Sequence, residues 1–376
     1  MKHLITFRVY ESQTTSGLTP EQEDFLNRHT EGTWSVNPTT GLVDIQGSFD
    51  FVRKGVKSFF GVEFGNVTGY FDFHHNKLQF LEGAPQKVDG SFECSRNELQ
   101  SLEGAPREVG GDFDCSYNQL QSLAGAPREV GGYFDCSWNQ LQSLKGAPKE
   151  VNGNFDCSRN DLQSLEGAPR EVGGNFICSY NQLQSLEGAP QKIDGDFNCY
   201  WNNLQSLEGT PQKVDGSFQC SRNKLQSLEG APREVGGDFD CSYNQLQSLV
   251  GAPQEVDGKF NCSVNQLQSL EGAPKEINGG FRCDKFQLDP GEWNMDGWLE
   301  VLKNGSEEAK KLIITLPIFN PTYWNSKISQ NPESTILELS EFWDDMTDDV
   351  RNSIRIPSDL RDDFDNLLEL VRMGIM

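Results

Sequence analysis

From Phe71 to Cys283 a single order of apolar and polar positions returns every 21 residues. Each unit reads Phe-x-Cys-Ser-x-Asn-x-Leu-Gln-Ser-Leu-Glu-Gly-Ala-Pro-x-x-Val-x-Gly-x, as in Phe155 to Asn175. Phe and Cys alternate with polar residues, as in Phe113-Asp114-Cys115-Ser116, the period-two pattern of a strand buried on one face. The Leu, Leu and Val columns that follow, Leu120, Leu123 and Val130 in that unit, must face the same core. Gly104-Ala105-Pro106 breaks any helix, and Val109-Gly110-Gly111 leads back to the next strand, so the return side is predicted to be extended or polyproline-like. One coil buries about five apolar side chains at roughly 1.5–3 kcal/mol each, which does not offset its ordering entropy; a stack of coils does.

Two further columns complete the unit. Asn97, Asn118, Asn139, Asn160 and their equivalents up to Asn265 form a ladder whose amides can satisfy backbone groups where each strand turns away. All ten cysteines fall in one column, Cys94 through Cys283. One cysteine per coil lacks the paired spacing of a zinc site and follows the repeat rather than a disulfide framework, so the column is predicted to be core packing.

The order Phe-x-Cys-x-x-Asn-x-Leu resembles the Leu-x-Leu-x-x-Asn-x-Leu signature of leucine-rich repeats. The continuation Leu-Gln-Ser-Leu-x-Gly-Ala-Pro resembles the short bacterial type found in secreted effectors, with Phe and Cys replacing two leucines. The resemblance covers 71–283, and Ile45 to Phe51 reads as a degenerate first unit with Phe51 in the cysteine column. It implies a repeat solenoid, a leucine-rich-repeat parallel-strand horseshoe that is β-rich with an extended convex side. Twelve strands at ~4.8 Å would give a stack about 55 Å long.

The flanks break the period. Thr19-Pro20-Glu21-Gln22 is a capping-box helix start, predicting a helix over 20–29, and Thr33–Val36 with Leu42–Gln46 reads as a hairpin. Beyond Phe286, in the Asn column, the period changes to about 3.6 residues, predicting helices near 292–303, 306–315, 321–329 and 332–345. A final helix is striped by Leu360, Phe364, Leu367, Leu368 and Val371. The expected organisation is a flexible N-terminus or leader (1–16), an N-terminal α/β cap (17–48), a solenoid of about 12 coils (49–288) and a C-terminal all-α domain (289–376).

The net charge is −24, and 284–376 alone holds 19 acidic against 9 basic residues. Such a surface favours basic partners and speaks against direct nucleic-acid binding. No apolar run reaches the length of a membrane span, and Met1 to Val9 is too short and too interrupted for a secretory signal, which predicts a cytoplasmic protein without membrane contact. Asp344-Asp345 and Asp348-Asp349 lack a calcium-loop spacing and read as a solvated helix face.

Catalysis has little to stand on. The four histidines are all N-terminal, His74-His75 occupies exposed repeat positions, and no phosphate loop lies between a strand and a helix. Some bacterial effectors with these repeats carry a C-terminal ubiquitin ligase that works through a cysteine, but 284–376 has none. No enzyme activity, cofactor or metal site is expected.

Function is expected on the concave strand face, at the positions that vary. The residue before each Asn reads Arg96, Tyr117, Trp138, then Arg159, Tyr180, Trp201, then Arg222, Tyr243, Val264, a superrepeat of 63 residues. Either the order was inherited when three-unit blocks were copied, or it is a binding row, since Tyr, Trp and Arg dominate interface hot spots. Asp72, Glu93, Asp114, Asp135, Asp156 and Asp240 add an acidic lane, so a protein partner with a basic or mixed surface is expected.

Met1 to Glu11 is similar to the capsid-targeting leaders of internal head proteins of tailed phages, clipped after an apolar-x-Glu site. The layout as a whole resembles repeat proteins of large tailed bacteriophages. That resemblance implies a phage-encoded scaffold acting on a host or defence protein in the bacterial cytoplasm. A virion component whose repeats serve assembly, and an acidic DNA mimic, are the alternatives.

Overall fold

The computed structural model describes residues 16–316, 321–343 and 348–372. It comprises two compact units, Met1–Cys178 and Ser179–Met376, and each is a parallel-strand repeat solenoid over its coils.

In the first unit, helix α1 (Pro20–His29) begins where Thr19 and Gln22 exchange side-chain and backbone hydrogen bonds, the reciprocal arrangement of a capping box. It leads into the antiparallel pair β1 (Thr30–Val36) and β2 (Val43–Asp50). Phe25 of α1 packs edge-on against Phe49 and Phe51, with ring centroids 5.4 and 4.7 Å apart. The end of β2 then starts the Phe ladder, in which Phe49, Phe71, Phe92, Phe113, Phe134, Phe155 and Phe176 are successive in-register parallel partners. Each regular strand is only two residues long, the Phe and the residue after it.

Phe71 to Phe176 are fully buried, and their rings stack at 5.3–5.9 Å with interplanar angles of 5–14°. A second parallel ladder runs down the return side through Val67, Val88, Val109, Val130, Val151 and Val172, each Val turned into the core. The return side is therefore extended, as its Gly-Ala-Pro segments predict. Gly125 shows why that segment is fixed: its φ is +92°, and a Cβ there would meet the Leu102 carbonyl oxygen at 2.5 Å.

The Asn ladder closes the turn after each strand. Asn118 Nδ2 donates to the carbonyls of Cys94, Cys115 and Ser116 at 3.1–3.2 Å, while its Oδ1 accepts from the Leu99 amide at 3.0 Å. One side chain thus serves two successive coils. The cysteines are buried and unbridged, and burial pushes their thiols well above the ordinary range, as at Cys115 and Cys136.

The second unit repeats this plan from Phe197 to Phe281. Its last coil ends on the antiparallel strand Gln287–Leu288, with Trp293 stacked on Phe281 at 4.4 Å and donating to the Pro274 carbonyl. Among the described residues six helices follow: α2 (Met295–Asn304), α3 (Glu307–Ile313), α4 (Pro321–Gln330), α5 (Pro332–Phe342), α6 (Asp348–Ser353) and α7 (Arg361–Arg372). Asn294 and Ser306 cap α2 and α3 through their side chains. The expected leader, Met1 to Glu11, and the acidic pair Asp344-Asp345 lie outside the described residues. Among the described residues no helix is long and apolar enough to cross a membrane.

Candidate functional site

The variable row does not sit on the strands. Its residues come just after them, at the step where each coil turns away, and all adopt a left-handed backbone: φ is +53° at Arg96, +52° at Tyr117, +53° at Trp138 and +55° at Arg159. In the second unit the values are +53° at Tyr180, +56° at Trp201, +56° at Arg222, and +55° at both Tyr243 and Val264. A left-handed conformation costs a non-glycine residue roughly 1–2 kcal/mol. The Asn side chain and the next coil fix it, for the Tyr117 amide donates to the Ser137 carbonyl at 3.0 Å.

Held at this angle, side chains of successive coils must stack. In the first unit the Arg96 guanidinium lies 4.1 Å from the Tyr117 ring centroid, Tyr117 stacks on Trp138 at 5.0 Å and 16°, and Arg159 covers Trp138 at 4.3 Å. In the second, Tyr180 stacks on Trp201 at 5.2 Å, and Arg222 lies 5.0 Å from Trp201 and 4.2 Å from Tyr243. Each exposed cation–π contact contributes about 0.5–1 kcal/mol, enough to offset part of the backbone strain. Tyr117 and Trp138 are thereby covered on both ring faces. What they offer a partner is their edges, the phenol O–H and the indole N–H, beside the guanidinium N–H groups. Trp138 and Trp201 remain 44% and 49% exposed.

The acidic lane occupies the strand position between Phe and Cys, and in the first unit Asp72, Glu93, Asp114, Asp135 and Asp156 are in-register partners. Asp114, Asp135 and Asp156 each accept, through Oδ1, the amide of the Ser two residues on, at 2.8 Å. Burial, then repulsion from Asp114 and Asp72, pushes the Glu93 carboxyl up to about 8. Burial followed by the Asp156 charge pushes Asp135 up to about 7, and burial raises Asp156 as well. In the second unit the lane reads Asn198, Gln219, Asp240, Asn261 and Arg282, with one carboxylate and one cation among neutral residues.

Some neighbours of the row were not singled out from sequence. Tyr200, in the Ser column, meets Tyr180 edge-on at 4.9 Å, and a Tyr one coil from a Tyr was the available signal. The Tyr133 side chain acts on Glu93 and holds its carboxyl down against the stronger effect of burial, an influence between columns that a periodic reading does not place. His74 Nδ1 lies 2.7 Å from Asp72 Oδ1, forming a surface imidazole–carboxylate pair. Among the described residues no group of three His, Cys, Asp or Glu could hold a metal ion.

No known family profile matches the chain, and no curated protein matches it. Among solved structures it is similar to YopM from Yersinia enterocolitica WA-314, at 18% identity and a TM-score of 0.38, covering 65% of this chain and 66% of that one. The match therefore spans just under two thirds of that protein's length. It is also similar to the leucine-rich repeat domain of APL1B, at 15% identity and a TM-score of 0.35, covering 62% and 83%.

Proposed function

We propose that the chain is a non-enzymatic protein-interaction scaffold that engages its partner through the row of Arg96, Tyr117, Trp138, Arg159, Tyr180, Trp201, Arg222 and Tyr243, with Asp114, Asp135 and Asp156 beside it. The observation that carries this reading is that exposed Arg, Tyr and Trp are kept at a left-handed backbone position. Gly or Asn would fit there with less strain, and strain retained at an exposed position is characteristic of a working surface. The chemistry of the partner follows from what is presented: hydrogen-bond acceptors for the phenol, indole and guanidinium edges, and cations for the carboxylate lane. A protein surface of mixed charge meets both, whereas a nucleic acid would meet the carboxylates with its phosphates. By resemblance the partner is a bacterial host or defence protein met by a phage-encoded scaffold.

The test is affinity recovery from bacterial lysate with the wild type and with a variant carrying Tyr117→Ala, Trp138→Ala, Tyr180→Ala and Trp201→Ala. A protein recovered by the wild type in stoichiometric amount and lost from the variant supports the row as the binding face. Recovery unchanged by all four substitutions refutes it.

A further inference from the structure

The return side of the Met1–Cys178 unit carries two charged ladders that the strand-side row leaves unused. The residue after each Pro is Arg107, Arg128, Lys149 and Arg170 in four successive coils, and the next is Glu108, Glu129, Glu150 and Glu171. Both columns are in register. The glutamates are partners along the parallel strands, the Arg128 amide donates to the Arg107 carbonyl at 3.3 Å, and the Arg170 amide donates to that of Lys149 at 2.9 Å. All eight residues are exposed. Among the described residues none of the four cations makes an ion pair. Like charges directly opposite one another on neighbouring strands are unfavourable, and here each column holds four in succession at about the 4.8 Å strand step. The columns border open grooves floored by small residues, Gly104, Ala105, Gly125, Ala126, Gly146 and Ala147, so that a partner can approach closely.

On a chain of net charge −24 this face is locally neutral. A polyanion would meet a glutamate beside every cation. The surface that answers both columns at once has the opposite order of charges at the same step. A second copy supplies it: a two-fold rotation about an axis that runs along the stack in the plane of contact lays each cation column on the other copy's glutamate column, coil against coil.

We propose that this face docks a second copy of the chain side by side, with Arg107, Arg128, Lys149 and Arg170 pairing with the glutamate column of that copy. This surface is separate from the strand-side row and stands whether or not that row binds a partner.

Sedimentation velocity of the full chain tests it at about 0.1 M and about 1 M NaCl, where the screening length falls from about 10 to about 3 Å. A dimer is expected at the lower salt, with association at least about tenfold weaker at the higher. Two charge-swapped chains sharpen the test. One carries Arg107→Glu, Arg128→Glu, Lys149→Glu and Arg170→Glu; the other carries Glu108→Arg, Glu129→Arg, Glu150→Arg and Glu171→Arg. Each alone should be monomeric, and an equimolar mixture should form a heterodimer. Circular dichroism checks that both fold; if either does not, Arg128→Glu and Glu129→Arg on separate chains carry the same comparison with a smaller shift. A wild type monomeric at the lower salt, a dimer indifferent to both swaps, or a mixture that stays monomeric overturns the proposal. So does retention of a labelled single-stranded oligonucleotide by the wild type that the Arg→Glu set abolishes, since that would assign the face to anions.

Discussion

Replacing Asp135 by Asn isolates the electrostatics of the acidic lane. Asp135 lies between Asp114 and Asp156 in the strand ladder, and burial together with the Asp156 charge lifts its carboxyl from 3.8 to about 7, against hydrogen bonding from Ser137. A folded-state pKa above the unfolded one means that the folded chain keeps a proton which the unfolded chain releases above about pH 4. The stability this confers is fully present below about pH 4 and is lost as the pH rises through about 7. Roughly three pH units at 1.36 kcal/mol each bound the effect at about 4 kcal/mol; solvent along the edge of the lane should reduce it to about 2 kcal/mol. Asp135→Asn removes the charge and keeps an oxygen to accept the Ser137 amide, which lies 2.8 Å from Oδ1. With a sequence pI near 4.5, pH 5.5 against pH 8 is the workable comparison. The advantage of the variant over the wild type should grow by about 1 kcal/mol between them, a relative rise in melting temperature of about 2–4 °C. Urea is the denaturant of choice because it does not screen charge. An advantage that is flat or shrinking from pH 5.5 to pH 8 would refute the raised carboxyl and the in-register repulsion behind it.

Two further substitutions test the turn. Asn118→Ala leaves the buried Leu99 amide without its acceptor and takes one donor each from the carbonyls of Cys94, Cys115 and Ser116, which keep Asn97, Asn139 and the Arg96 amide; it should destabilise the first unit by about 1–3 kcal/mol, read as a lower urea midpoint and faster amide exchange at Leu99. Val264→Asn should stabilise by about 0.5–1 kcal/mol, because Val264 is a β-branched, half-exposed residue at φ +55° and Asn tolerates that conformation several-fold better; a melting temperature equal to or below that of the wild type would show that the left-handed turn carries no strain.

The Phe, Cys, Leu and Asn columns were legible because every coil gives a column the same environment, so composition at one position is read many times over. Phe113 and Cys115 sit where alternation places them, and Asn118 bonds the turning backbone as its column predicts. The length of the strands was not legible. Alternation over Phe-x-Cys-Ser suggests four extended residues, but the ladder closes after two, because the Cys115 carbonyl goes to Asn118 and the Ser137 amide that would reach it in a longer strand goes to the Asp135 carboxylate. The left-handed row was hidden for a related reason: Arg, Tyr and Trp carry no sign of positive φ, which is imposed by the Asn that follows. Nor does the six-residue α6 have length enough to show a period.

A stack of coils makes each residue its own neighbour, so that a column's chemistry acts on itself. Carboxylates placed in the lane repel one another, and the raised Glu93 and Asp135 record that. A column of Arg alone in the row would do the same, while one of aromatics alone would leave rings without cations. The order Arg, Tyr, Trp avoids both outcomes, for each ring then lies between two residues that attract it and no Arg lies beside another, as Arg96-Tyr117-Trp138-Arg159 shows in the first unit. Copying three-unit blocks preserves that order, whereas copying single units would destroy it. The 63-residue superrepeat therefore has a physical reason to persist however it arose, and duplication and a working surface are not competing accounts of the row.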